Sequence, residues 1–64
     1  MAITIKAARV NVGLTQESAA KELGVTRATL ANYEAGKTIP DIETGKKMAI
    51  LYKMSVDDLI FSAN

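Results

Sequence analysis

The chain contains no cysteine and no histidine. Without cysteine there is no disulfide and no thiolate metal site. Without histidine the commonest general base and the commonest transition-metal ligand are both missing. Long hydrophobic runs are absent as well. Apolar residues make up 48% of the chain, yet none of its runs approaches the roughly 18 residues of a membrane span. The opening Met1-Ala-Ile-Thr-Ile-Lys6 has the wrong order for a signal peptide. A soluble, cytoplasmic protein is the expectation, and the lack of cysteine fits a reducing compartment. With 64 residues the chain has room for one domain, residues 1–64, with one small core and a thin stability margin.

An excess of charge is also missing. The net charge is +1 and the isoelectric point about 8.0, whereas a nucleic-acid module often lies above about 9. The distribution adds a little. Up to Pro40 the cations Lys6, Arg9, Lys21, Arg27 and Lys37 outnumber Glu17, Glu22 and Glu34. Beyond it, Asp41, Glu43, Asp57 and Asp58 outnumber Lys46, Lys47 and Lys53. Any polyanion should meet the first part, but charge alone does not define a nucleic-acid binder.

What the chain does have is regular punctuation. Thr4, Thr15, Thr26 and Asp41 each precede an apolar pattern of helical period, and Gly13, Gly24 and Gly36 follow the first three. A hydroxyl or carboxylate accepts an orphan backbone N–H, and glycine takes the left-handed exit. This spacing predicts helices from Ile5 to about Val12, Gln16 to Leu23, Arg27 to Ala35 and Ile42 to about Lys53. Ser55-Val-Asp-Asp58 has the form of a capping box for a short fifth helix anchored by Leu59 and Ile60. No strand of useful length competes, so the expected class is all-α. The inner stripes are Ile5, Ala8 and Val12; Ala19, Ala20 and Leu23; Leu30 and Tyr33; and Ile42, Gly45, Met48, Ala49 and Tyr52. Gly45 costs about 1 kcal/mol inside a helix relative to alanine. Close approach of another helix would explain it, and a hinge or kink is the alternative.

Helices two and three are joined by Gly24-Val25-Thr26 alone. A connection of this length with a leading glycine suits two helices crossing steeply, with Val25 plugging the gap and Ala20 permitting close approach. On a wheel of about 100° per residue, Leu30 and Tyr33 define the inner face of helix three. Ala28, Asn32 and Ala35 lie opposite, flanked by Ala31. One reading is neutral surface alanine, the best helix former. The other is a helix trimmed to enter the major groove of DNA, where alanine meets a thymine methyl, Asn32 pairs with adenine and Arg27 with guanine. Glu34 falls near the buried side and then needs a cation. Arg9 is the candidate, through two parallel hydrogen bonds; a solvated Glu34 beside Lys37 is the alternative.

These residues are recognisable together. Arg9, Gly13-Leu-Thr-Gln16, Ala20, Leu23-Gly-Val-Thr26, Leu30, Tyr33-Glu-Ala-Gly-Lys37, Pro40 and Val56-Asp-Asp-Leu59 resemble the phage repressor and Cro type of helix-turn-helix protein over about Ile3 to Ile60. The resemblance implies a compact five-helix lambda-repressor-like DNA-binding domain with a central helix-turn-helix, its third helix (26–35) in the major groove and its second across the backbone. It implies that Arg27, Ala28 and Asn32 face bases. It also implies that Gln16, Thr26, Thr29 and Lys37 contact the DNA backbone, that Gln16 braces the recognition helix, and that Arg9 and Glu34 form a structural ion pair. Several positions depart from the pattern. Ala28 replaces a polar side chain, Ala35 a frequent asparagine, Ala19 and Gly45 common leucines, and Lys53 a glycine that often ends helix four.

The expected function is therefore sequence-specific binding of double-stranded DNA by a transcriptional regulator. The expected form is a repressor acting as a homodimer on a palindromic operator, with no cofactor, metal, membrane or small-molecule substrate. Ile39, Met54, Ile60 and Phe61 are the candidate dimer surface, with ordinary core closure as the alternative. A rival class is a protein-interaction or antitoxin-like adaptor that uses the same fold and offers its alanine face to a partner helix. An enzyme would have to rely on Ser18, Lys21 and Glu22 of helix two in a desolvated pocket that a chain of this length hardly makes. Their ordinary reading is a solvated helix face, and no enzyme is expected.

Overall fold

Each helix begins at a side-chain oxygen that the sequence supplies. The computed structural model describes residues 2–61. Within it α1 spans Ile5–Asn11, α2 Gln16–Leu23, α3 Arg27–Ala35 and α4 Ile42–Leu51. Thr4 Oγ1 accepts from the Ala7 N–H at 3.1 Å, Thr26 Oγ1 from Thr29 at 3.1 Å, and Asp41 Oδ1 from Thr44 at 2.8 Å. At α2 the cap is reciprocal. Thr15 Oγ1 takes the Ser18 N–H while Ser18 Oγ takes the Thr15 N–H, both at 3.0 Å. Each such cap is worth about 1 kcal/mol.

The four helices also end alike. The Leu14, Val25, Lys37 and Met54 N–H groups donate to the carbonyls of Arg9, Ala20, Asn32 and Ala49, five residues back. Each of these Schellman turns needs a residue in the left-handed region. Glycine supplies it three times, and Lys53, at φ 58°, supplies it after α4. A side chain in that conformation carries a strain of roughly 1 kcal/mol.

The core is aliphatic and alanine-rich. Ile5, Ala8, Ala19, Ala20, Leu23, Leu30, Met48, Ala49, Tyr52 and Leu59 are buried, with Val12, Leu14, Val25 and Tyr33 packed against them. α3 lies chiefly on α2, and α4 backs α2. Ala20 is the small residue at the α2–α3 corner and Val25 closes it.

Three expectations need correction. The described residues form four helices and not five. After Ser55, residues Val56–Asp58 make a single 3-10 turn, and Leu59–Ile60 form a strand, β2, parallel to β1 at Ile3–Thr4. Ser55 Oγ takes the Asp57 N–H and the Ser55 carbonyl takes that of Asp58, which winds the turn too tightly to continue as an α-helix. Pairing of Ile3 with Leu59 and of Thr4 with Ile60 then satisfies backbone groups that a fifth helix would have satisfied internally. Second, Ile42 is 79% exposed and not an inner residue of α4. Third, what approaches Gly45 is an aromatic ring and not a helix. A Cβ there would lie 3.5 Å from Phe61 Cζ, an ordinary contact distance.

Because that contact is uncrowded, Gly45→Ala should recover most of the helix propensity, about 0.5–1 kcal/mol. Lys53→Gly should gain a similar amount by releasing the left-handed strain. Thermal denaturation monitored by circular dichroism checks both. A lowered melting temperature for Gly45→Ala would mean that the Phe61 ring cannot yield.

Candidate nucleic-acid interface

The caps and corner fix α3 so that one side of it is bare. Arg27, Ala28, Asn32 and Ala35 are exposed, and Ala31 and Thr29 are half-buried. Among the described residues nothing packs over the exposed methyl groups of Ala28 and Ala35 deeply enough to bury them. Leu30, on the opposite side, is fully buried. The outer profile of α3 is therefore narrow, with Arg27 and Asn32 as its protruding hydrogen-bonding groups. Arg27 makes no ion pair among the described residues, so its guanidinium is available.

The candidate backbone contacts differ in availability. Thr26 Oγ1 accepts from the Thr29 N–H and donates to Thr29 Oγ1 at 2.9 Å, so its hydroxyl is engaged in the cap. Thr29 Oγ1 receives that bond and keeps its own proton to donate. Lys37 sits just beyond α3, exposed, with its backbone N–H tied to the Asn32 carbonyl. Gln16, at the first turn of α2, is half-buried.

Behind this face lies a polar network. Arg9 Nε donates to Glu34 Oε2 at 2.7 Å and Arg9 Nη2 to Glu34 Oε1 at 3.3 Å. The two side chains are only 10% and 4% exposed. Arg9 Nη1 donates to the Leu14 carbonyl at 2.7 Å, which pins the loop before α2. Gln16 Nε2 donates to Glu34 Oε1 at 2.9 Å. One carboxylate thus ties together α1, α3 and the start of α2. Gln16 thus braces α3, as the resemblance implies; its partner Glu34 was not read from the sequence, because the bond depends on the crossing of α2 and α3 and no spacing within either helix encodes it. Tyr52 lies against the same pair. Its hydroxyl is buried and finds no hydrogen-bond partner among the described residues. Burial, helped by the negative charge of Glu34 and opposed by Arg9, pushes its ionisation up to about 12.

The candidate dimer residues separate into two groups. Ile39 and Phe61 line one apolar groove of about 280 Å³ together with Pro40, Ile42, Gly45 and Val56, rimmed by Asp41 and Lys46. Ile39 is 73% exposed. Met54 and Ile60 are half-buried, Met54 against the core and Ile60 in β2, and neither lines the groove. Ile42 and Val56 are the groove residues that sequence reasoning missed. Of the residues weighed for catalysis, Ser18 is engaged in the α2 cap while Lys21 and Glu22 are exposed.

This arrangement, two capped helices across a three-residue corner with a bare outer helix face, defines a helix-turn-helix domain. A family model described as helix-turn-helix matches residues 5–59, and the chain belongs to that family, in its Cro/C1 type. It is 39% identical over 56 residues to the HTH-type transcriptional regulator ImmR of Bacillus subtilis, covering 88% of this chain and 44% of that one. It is 36% identical over 59 residues to an uncharacterized HTH-type transcriptional regulator of Archaeoglobus fulgidus, covering 92% and 84%. It is 36% identical over 56 residues to the SPbeta prophage-derived regulator YonR of Bacillus subtilis, covering 88% and 52%. The chain thus spans about half the length of the two Bacillus relatives. No solved structure matches significantly. DNA-binding regulation of transcription is the function that membership of this class supports. Among the described residues no helix is long and apolar enough to cross a membrane.

Removing one partner of a buried pair leaves an uncompensated charge and costs about 3–5 kcal/mol, whereas replacing both with apolar groups is often close to neutral. Glu34→Ala should therefore consume most of the stability of so small a domain, and Arg9→Met/Glu34→Leu should restore it to within about 2 kcal/mol of the parent. Urea titrations of the three chains compare them. A double variant as weak as the single one removes the charge explanation.

Tyr52 supplies a prediction at alkaline pH. Its folded pKa is raised above the unfolded value of about 10, so the unfolded chain releases its proton first. The contribution of Tyr52 is complete below pH 10 and is lost as pH rises toward about 12. Tyr52→Phe should lose less stability than the parent between those pH values, with lysine titration common to both. Parallel alkaline curves for the two chains contradict the burial argument.

Proposed function

We propose that the domain binds double-stranded DNA sequence-specifically as a homodimer, with α3 in the major groove, and acts as a repressor by occupying a palindromic operator. The observation that carries this reading is the exposed, methyl-bearing face of α3, with Arg27 and Asn32 as its hydrogen-bonding groups. Arginine and asparagine are the side chains that pair bidentately with guanine and adenine, and alanine can meet a thymine methyl. Contacts by Gln16, Thr29 and Lys37 would place α2 and the end of α3 on flanking phosphates. Repression needs only occupancy, which a domain of this kind supplies without further parts.

The dimer follows from dimensions and from the groove. The longest extent of the domain is 27 Å, less than the turn of about 34 Å that separates successive major-groove faces. One copy therefore reads one groove segment, and a symmetric pair reads two. The groove at Ile39, Ile42, Val56 and Phe61 is apolar and open at the surface, and Asp41 and Lys46 on its rim provide opposite charges suited to a self-complementary contact. Ile39 follows Ala35 by four residues. A second copy seated there would hold the two α3 helices at a set separation.

Selection of bound DNA from a random pool, followed by a salt titration, tests the reading. A two-fold symmetric site is expected. With Arg27 and Lys37 on phosphate or base edges, log K should fall with log salt at roughly −0.9 per cation on phosphate. Arg27→Ala should weaken binding to the selected site by about 1–3 kcal/mol and relax preference at one base position. Equal weakening on every sequence would reassign Arg27 to the backbone. No binding at ~50 mM salt would favour the adaptor reading.

A further inference from the structure

We infer that a cleft between the carboxyl-terminal ends of α2 and α4 is a second surface on which copies of this chain meet, apart from the groove at Ile39. Glu22 and Leu23 form its α2 wall, and Lys47, Ile50 and Leu51 its α4 wall, around about 230 Å³. None of these five residues lines the groove, and none lies on α3. Ile50 is 80% exposed, more than any other large apolar side chain among the described residues. Leu51 beside it is half-buried and Leu23 is buried. An isoleucine this open has most of its apolar surface still to remove from water, and covering the cleft would remove it.

Charge decides what covers it. Glu22 and Lys47 are both exposed. Neither makes a hydrogen bond or an ion pair among the described residues, beyond a minor attraction of Lys47 for Asp41. The cleft therefore presents one acid on one wall and one base on the other. A nucleic acid or an acidic peptide would meet like charge at Glu22, and a basic peptide would meet it at Lys47. A second copy related by a two-fold axis answers both. Glu22 of each copy faces Lys47 of the other, so the pair forms twice while Ile50 of each closes on the cleft opposite. The domain measures 27 × 22 × 20 Å, so a contact on one cleft is small and of the weak, transient kind. Its consequence rests on the homodimer reading above. There each copy already joins another through the groove, and the cleft joins dimer to dimer.

A dilution series followed by nitrogen-15 NMR reads the contact residue by residue, up to ~2 mM, where a complex of millimolar affinity is populated. Backbone signals of Glu22, Leu23, Lys47, Ile50 and Leu51 should move with concentration, separately from any that move at the groove. Glu22→Lys and Lys47→Glu alter exposed side chains and leave the core intact. Each should weaken the association at the cleft about 5-fold or more, the loss of two exposed ion pairs. An equimolar mixture of the two variants should recover it to within about 2-fold of the parent, because each chain then offers the charge that the other lacks. An effect of either substitution within one chain is not rescued by mixing. Cleft signals that stay fixed across the dilution overturn the proposal and leave the cleft to a different partner. Single variants that associate as the parent does overturn it, and so does a mixture as weak as its components. None of these measurements involves DNA. A failure of the DNA-binding reading appears in the selection experiment, and a failure of the groove as dimer surface appears as fixed signals at Ile39 and Ile42, so each is told apart from a failure at the cleft.

Discussion

The buried pair of Arg9 and Glu34 is the interaction on which the arrangement of the helices depends. The core around it is made of alanines, a few larger aliphatic side chains, Met48 and Tyr52, and so alanine-rich a surface specifies geometry weakly. Alanine contacts are small, non-directional and tolerant of sliding. A bidentate arginine–carboxylate pair is neither. It fixes α1 against α3 and holds the loop before α2 through the Leu14 carbonyl, and its carboxylate takes the Gln16 amide. Desolvation of two charges offsets much of their attraction. The gain is a single relative placement of three helices, and that placement is what a groove-reading surface requires.

The same economy marks the outer face. Where Ala28 and Ala35 stand, no side chain offers a hydrogen bond, so any direct reading of bases falls on Arg27 and Asn32. On the proposed reading shape would take a larger share, because short side chains let a helix backbone come near the floor of the groove. Thr26 illustrates the cost of small size. Its hydroxyl closes the α3 cap and meets Thr29, and a phosphate contact from the same oxygen would compete with the cap.

Much of this was legible in the sequence because it is local. The caps at Thr4, Thr15, Thr26 and Asp41 and the left-handed exits at Gly13, Gly24 and Gly36 each involve residues within five positions of one another. The bounds of α2 and α3 follow from them. The misreadings all involve a distant partner. Leu59 and Ile60 pair with Ile3 and Thr4 at the other end of the chain, and nothing near Ser55 encodes that return. Gly45 is small against the ring of Phe61, which the helical period of α4 cannot reveal. Ile42 falls on the inner stripe by spacing, yet it occupies the first turn, where α4 has not reached the core, and it lines the groove instead. Gln16 was expected to brace α3, but its partner was not named. Its position at the start of α2 is local, and its bond to Glu34 is not.

Low charge gives the polar network its weight. With a net charge of +1, the field of the domain as a whole draws a polyanion only weakly. On the proposed DNA-binding reading, neutral donors such as Gln16 and Thr29 would carry a larger fraction of the backbone contacts. A lysine tolerates imprecise placement, because a point charge attracts a phosphate from many directions. An amide N–H does not, since its bond weakens steeply with angle. A domain that relies on neutral donors must therefore hold them in place beforehand. The Arg9–Glu34 pair holds Gln16 by one such bond, so the interaction that places the helices also fixes a polar side chain at the start of α2.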